Sequence, residues 1–77
     1  MKKQPIWGID LGGTKIEGVI LEPSDNYNVL IRTRIATEAH QGYEHVVDRI
    51  IELVRLMEKE TGLTASKIGM GTPGALD

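Results

Sequence analysis

No cysteine occurs in the chain, which excludes a disulfide-stapled scaffold and fits a reducing compartment such as the cytoplasm. No apolar run approaches the ~18 residues that a membrane span needs. Met1-Lys2-Lys3 has the charge of a signal-peptide opening, but Asp10 interrupts the apolar stretch that follows long before a signal core is complete. There is no basic surplus either. Nine Lys and Arg stand against 11 Asp and Glu, a net charge of −2, so the electrostatic footprint of a nucleic-acid binder is missing. Internal repeats and low-complexity tracts are absent. These exclusions predict a soluble, cytoplasmic globular protein, and 40% hydrophobic with 26% charged residues is the ordinary mix for one. Seventy-seven residues hold one small domain at most, and a chain of that size buries only about 60% of its unfolded surface.

The informative stretch is Trp7-Gly8-Ile9-Asp10-Leu11-Gly12-Gly13-Thr14-Lys15. An apolar run carries a single carboxylate and then breaks at two adjacent glycines, a hydroxyl and an ammonium. This pattern predicts a buried strand that delivers Asp10 to a tight turn. Gly12 and Gly13 are free to take positive φ and have no Cβ to keep a ligand off the backbone. Successive bare N–H groups in such a turn form an anion-binding nest; Thr14 adds a hydroxyl and Lys15 a positive charge. Asp10 suits Mg²⁺ or its water shell better than a phosphate, because Mg²⁺ is held by one or two carboxylates plus substrate phosphates. On chemistry alone two readings stand side by side, a nucleotide-phosphate turn and an ordinary hairpin with a Gly-Gly turn.

The flanking pattern specifies the elements. Ile6–Leu11 reads as a first strand. Lys15-Ile16-Glu17-Gly18-Val19-Ile20-Leu21 reads as a second strand and not a helix, being β-branched and interrupted by Gly18. That excludes a Walker A loop, which opens a helix and places Lys before Ser or Thr; here the order is Thr14-Lys15. A turn cluster around Pro23 leads to a third strand over Val29–Ile35, and short links make the three an antiparallel meander. Residues 37–42 are polar and irregular. Tyr43, Val46, Val47, Ile50, Ile51, Val54 and Met57 then follow the spacing of one helical face, widened by Leu53 and Leu56, and Gly62 is a natural stop. Glu52–Arg55 and Arg55–Glu58 are candidate ion pairs on its wet side. Lys67–Thr72 reads as a fourth strand, parallel to one of the first three after a right-handed crossover. The near-continuous apolar runs in the first three strands predict a sheet buried on both faces, which one helix cannot provide. The segment is therefore expected to open a larger protein.

Gly-Ile-Asp-Leu-Gly-Gly-Thr-Lys resembles the first phosphate motif of the actin-like ATPase superfamily, and its Gly-Gly-Thr-Lys form is similar to the ROK family (repressor, open reading frame, kinase), whose kinases phosphorylate hexoses with ATP. The resemblance runs from Ile6 to Asp77. It implies an α/β fold, the start of an actin-like ATPase (ribonuclease H-like) lobe: an antiparallel three-strand meander, a helix and a parallel fourth strand, incomplete as a domain. It also implies ATP and Mg²⁺ as cofactors. Gly8, Ile9, Asp10, Leu11, Gly12, Gly13, Thr14 and Lys15 would form the nucleotide-phosphate segment, with Asp10 toward the metal. Gly-Thr-Pro-Gly-Ala-Leu-Asp is similar to the Pro-Gly segment on the sugar side of the family's cleft, so Gly74 and Ala75 would meet the sugar. The general base is expected beyond Asp77, and no catalytic residue is assigned within the chain. A homodimer is implied for the full-length protein. Repressors of the family carry a DNA-binding helix-turn-helix ahead of this fold. Only Met1–Pro5 precede the first strand, so the kinase is favoured over a sugar-sensing repressor domain. A standalone module on the same scaffold is a third possibility.

Other features carry less. Gly69-Met70-Gly71-Thr72-Pro73-Gly74 matches the dinucleotide pattern Gly-x-Gly-x-x-Gly, but no helix pattern follows and no acid stands ~20 residues on. His40 and His45 do not have the spacing of a helical zinc pair. Trp7 belongs in the core, and Arg32 and Arg34 form a solvated pair on one strand face.

Overall fold

A computed structural model describes residues 4–23 and 28–71. Its elements are β1 (Ile6–Leu11), β2 (Lys15–Leu21), β3 (Val29–Ala36), a short 3-10 turn (Ala39–Gln41), α1 (Tyr43–Thr61) and β4 (Ile68–Gly71). The sheet order is β3-β2-β1-β4. β1 and β2 are antiparallel, as are β2 and β3, while β4 lies parallel to β1. The meander, the crossover helix and the parallel fourth strand all stand where the pattern predicts them.

Side-chain alternation divides the sheet into two faces. Trp7 and Ile9 of β1 and Ile16 and Ile20 of β2 are buried together with Leu53 and Met57 of α1. Burying a side chain of this size stabilises by roughly 1.5–3 kcal/mol, so these six carry most of the packing. Gly18 lies between Ile16 and Ile20 on the same face, directly under two buried side chains of the helix. A Cβ on Gly18 would stand 2.5 Å from Met57 Cε and 3.2 Å from Leu53 Cδ2. The glycine that interrupts the strand pattern is thus the seat of the helix.

The buried stripe of α1 is centred elsewhere than the spacing implies. Leu53 and Met57 are fully buried, whereas Tyr43 is 83% and Ile51 44% exposed. Ile51 lies two residues from Leu53, roughly 200° around the helix, and Tyr43 sits in the first turn. The ion pair along α1 is Arg49–Glu52, at 3.0 Å, and among the described residues neither predicted pair of Arg55 forms. Gly62 ends the helix with φ 76°, its N–H donating to Glu58 O at 2.8 Å, a left-handed terminus that glycine adopts without Cβ strain. Glu58 also accepts from the Ala65 N–H at 2.9 Å, tying the link to β4 back onto the helix.

Expected burial on both faces is not met within the described residues. α1 packs on β2 and β3, leaving the far edge and the opposite face open: Ile6 is 45% and Met70 56% exposed. Asp10, Glu17, Arg32 and Arg34 alternate onto that open face with Gly8 and Val19.

Candidate functional site

The glycine turn joins two antiparallel strands, with Asp10 opposite Glu17 and Leu11 opposite Ile16. It is closed by the Gly12 N–H donating to Lys15 O at 3.0 Å. Neither Gly12 nor Gly13 has the positive φ that two adjacent glycines lead one to expect; in the described residues only Gly42, Gly62 and Glu38 do. The glycines serve space instead. A Cβ on Gly12 would lie 2.9 Å from Lys15 O, against backbone that cannot yield, while a Cβ on Gly13 would meet nothing within 4 Å. Gly12 is required by the turn itself. Gly13 presents bare backbone outward.

Thr37, one residue past β3, fastens the turn from behind. It is 2% exposed. Its hydroxyl donates to Gly12 O at 2.9 Å and its N–H donates to Thr14 O at 2.9 Å. With two turn carbonyls drawn inward, the exposed residues Gly13, Thr14 and Lys15 form the outward side. Gly13 and Thr14 line an open hollow of about 410 Å³ with Ala36, Glu38 and His40.

Glu38 takes a left-handed conformation, φ 57° and ψ 44°, which costs a non-glycine residue about 1–2 kcal/mol. α1 holds it there. His45 Nε2 donates to Glu38 Oε1 at 2.6 Å and Arg49 Nε stands 3.5 Å from the same oxygen. Arg49 Nε also donates to Ala36 O at 2.9 Å. The hydrogen bond from His45, opposed by partial desolvation and aided by Arg49, keeps the Glu38 carboxyl below its ordinary range.

Asp10 is exposed on the open sheet face. It lines a second hollow, of about 450 Å³, with Gly8, Glu17, Val19 and Gly71. Like charges directly opposite across two strands repel, and Glu17 is drawn off by Arg34, whose Nη2 donates to Glu17 Oε2 at 3.0 Å. Asp10 has no ion-pair partner among the described residues. An unpaired, exposed carboxylate beside a compensated one fits the donor chemistry of Mg²⁺, which keeps several waters and takes one or two carboxylates.

Of the predicted segment, then, the structure places Asp10 and Lys15 on the open face and Gly12, Gly13 and Thr14 at the turn. Ile9 is buried under α1 in a strand paired on both edges, with Gly18 opposite on β2 and Met70 on β4, and Leu11 packs against that core, so Ile9 has no free edge for a ligand. Gly8 lies on the floor of the Asp10 hollow. Gly74 and Ala75 lie outside the described residues. Trp7 is in the core, as expected. Thr37, Glu38, His45 and Arg49 escaped the pattern because their partners are distant in sequence and residues 37–42 carry no periodicity.

A three-strand meander with a bare, braced turn, a free acid beside it and a crossover helix to a parallel strand defines the opening of an actin-like ATPase lobe. Solved structures agree. The chain superposes on a ROK family glucokinase from Streptomyces griseus, in complex with glucose and AMPPNP, with a TM-score of 0.73 and 27% identity, over 92% of this chain and 21% of that one. An inorganic polyphosphate/ATP-glucomannokinase from Arthrobacter sp. strain KM gives the same TM-score and identity over 88% of this chain and 28% of that one. A glucokinase of Thermotoga maritima is 32% identical over all 77 residues, which make up 23% of its length. The model of the ROK family matches residues 6–77. The chain belongs to the ROK family, and it spans about a quarter of the relatives it matches.

Proposed function

We propose that this chain is the N-terminal part of the first lobe of a cytoplasmic, ATP-dependent hexose kinase, which transfers the γ-phosphate to a sugar hydroxyl and works as a homodimer. The observation that carries the proposal is an exposed Asp10, without an ion-pair partner among the described residues, beside a turn whose carbonyls are tied inward by Thr37, in a chain whose relatives include glucokinases.

In such a transfer catalysis is mostly positioning and stabilisation of charge. The amides of Gly13 and Thr14 bind phosphate oxygens, with the Thr14 hydroxyl and Lys15 ammonium adding a donor and a charge. Gly12, whose N–H closes the turn on Lys15 O, shapes the cradle and does not donate to the phosphate. Gly13 admits a phosphate to the backbone because it has no side chain. Asp10 holds Mg²⁺ or its waters, and the metal when bound neutralises charge on the phosphates. Gly8 keeps the floor of the Asp10 hollow low, and Ile9 and Leu11 anchor the strand through the core. Gly74 and Ala75 offer backbone groups to sugar hydroxyls. The general base comes from beyond residue 77.

The test is the intact protein assayed with ATP, Mg²⁺ and a panel of hexoses. Turnover is expected, and Asp10→Ala should abolish most of it while leaving the melting temperature close to wild type, since Asp10 is exposed. An Asp10→Ala protein with wild-type turnover would remove the metal role. No turnover with any hexose would overturn the proposal.

A further inference from the structure

Thr37 lies 25 residues from Gly12 in sequence, yet both of its hydrogen-bond donors go to one turn. A buried threonine needs only one acceptor for its hydroxyl, and the nearest helix or strand carbonyl would serve. Here the hydroxyl and the N–H grip carbonyls on the two sides of Gly13. The turn has no side chain of its own to fix it at positions 12 and 13. The segment Ala36–Glu38 is itself held by α1, through Arg49 on Ala36 O and through His45 and Arg49 on Glu38. A chain of contacts therefore leads from the helix, through the segment Ala36–Glu38 with its left-handed residue, to the outward-facing backbone of the turn.

We propose that Thr37 is a positioning residue for nucleotide: it holds the amides of the glycine turn in the direction a phosphate needs before the phosphate arrives. This rests on the proposed kinase function of the same turn. Donors that are fixed in advance bind charge without the cost of reorganising. Releasing the Gly12 carbonyl from the Thr37 hydroxyl loosens one side of the turn and lowers the fraction of molecules ready to bind. Arg49 acts through the Ala36–Glu38 segment that carries Thr37.

The experiment compares Thr37→Val, which keeps shape and loses the hydroxyl, with Thr37→Ser, which keeps the hydroxyl, in the intact protein. Steady-state kinetics are combined with hydrogen exchange of the Gly12 amide, whose bond to Lys15 O reports closure of the turn. Thr37→Val should raise the KM for ATP about tenfold, equivalent to about 1.4 kcal/mol, with the KM for sugar unchanged and faster exchange at Gly12. Thr37→Ser should restore ATP KM to within about twofold of wild type, because the donor is kept. Unchanged ATP KM in folded Thr37→Val, activity lost only in proportion to unfolded protein, or failure of Thr37→Ser to rescue would each overturn the positioning role while leaving the kinase function standing. Wild-type protein that neither binds nor turns over ATP would overturn both. If Thr37→Val does not fold, Arg49→Met loosens the strap from the helix side: a raised ATP KM is expected, and an unchanged one overturns the proposal.

Discussion

Gly13→Val isolates the ligand's need for a bare backbone from the fold's need for one. A β-branched residue placed at positive φ would carry strain of roughly 1–3 kcal/mol, but Gly13 is not at positive φ, so that cost is absent. Its Cβ would meet nothing within 4 Å and the position is exposed, so the side chain can extend into open space. Replacing glycine at a compatible position even restricts the unfolded chain slightly, a change of about 0.4–1 kcal/mol toward the folded state. The melting temperature of the intact protein should therefore stay close to wild type. Binding is another matter. The valine side chain occupies the space through which a phosphate reaches the amides of residues 13 and 14, and each hydrogen bond to a charged group is worth about 1.5–3 kcal/mol. Loss of two gives about 3–6 kcal/mol, a fall in ATP affinity of at least a hundredfold, since tenfold needs only about 1.4 kcal/mol. Calorimetric titration with a non-hydrolysable ATP analogue beside thermal melting measures both quantities. Wild-type affinity in a folded Gly13→Val protein would mean that the loop is only a turn.

Three further outcomes follow from the same geometry. The isolated 77-residue chain should show no sugar phosphorylation with ATP, Mg²⁺ and hexoses; turnover above background that disappears on Asp10→Ala would show that the general base lies within it. Gly18→Ala should destabilise the intact protein by about 1–3 kcal/mol, the usual cost of overpacking, because the new methyl meets Met57 and Leu53; a urea midpoint equal to wild type would refute the close approach of α1. The Glu38 carboxyl is held below its ordinary range, chiefly by the His45 hydrogen bond, so its contribution is present above the unfolded pKa and is lost as pH falls through the folded one. Acid titration of stability should thus show a steeper loss for wild type than for Glu38→Gln across the carboxylate range, and parallel curves would refute the link.

Strands, crossover helix and helix stop were legible because each rests on a local signal: β-branched runs around Gly12-Gly13, a 3.6-residue period after Tyr43, a glycine at position 62. The glycine turn was legible as a motif, yet the reason for its glycines was not. Positive φ is the general expectation for adjacent glycines, whereas Gly12 answers to the 2.9 Å approach of Lys15 O, a distance set by hairpin register and invisible in composition. The apolar stripe of α1 was shifted because periodicity cannot tell which of two neighbouring faces a sheet will choose. The choice falls on Leu53 and Met57, opposite the missing side chain of Gly18, so a strand glycine and a helix face 35 residues later are one packing decision.

One rung of the sheet shows how the fold and the candidate site depend on each other. Gly71, Asp10, Glu17 and Arg34 lie side by side across all four strands. Two opposed carboxylates without a partner would weaken the β1–β2 pairing just where the turn must be firm. Arg34 compensates Glu17 from β3, so the remaining uncompensated charge is that of Asp10. Exposed ion pairs contribute little to stability, about 0–1 kcal/mol, and the Arg34–Glu17 pair, with Arg34 57% exposed, matters less for holding strands together than for deciding which acid stays free. Glycine at position 71 leaves the other flank of Asp10 without a side chain. The rung thus leaves one acid open at the β1 end of the turn, while Thr37 leaves the amides open at its crest, and both arrangements depend on β3 lying in register with β2.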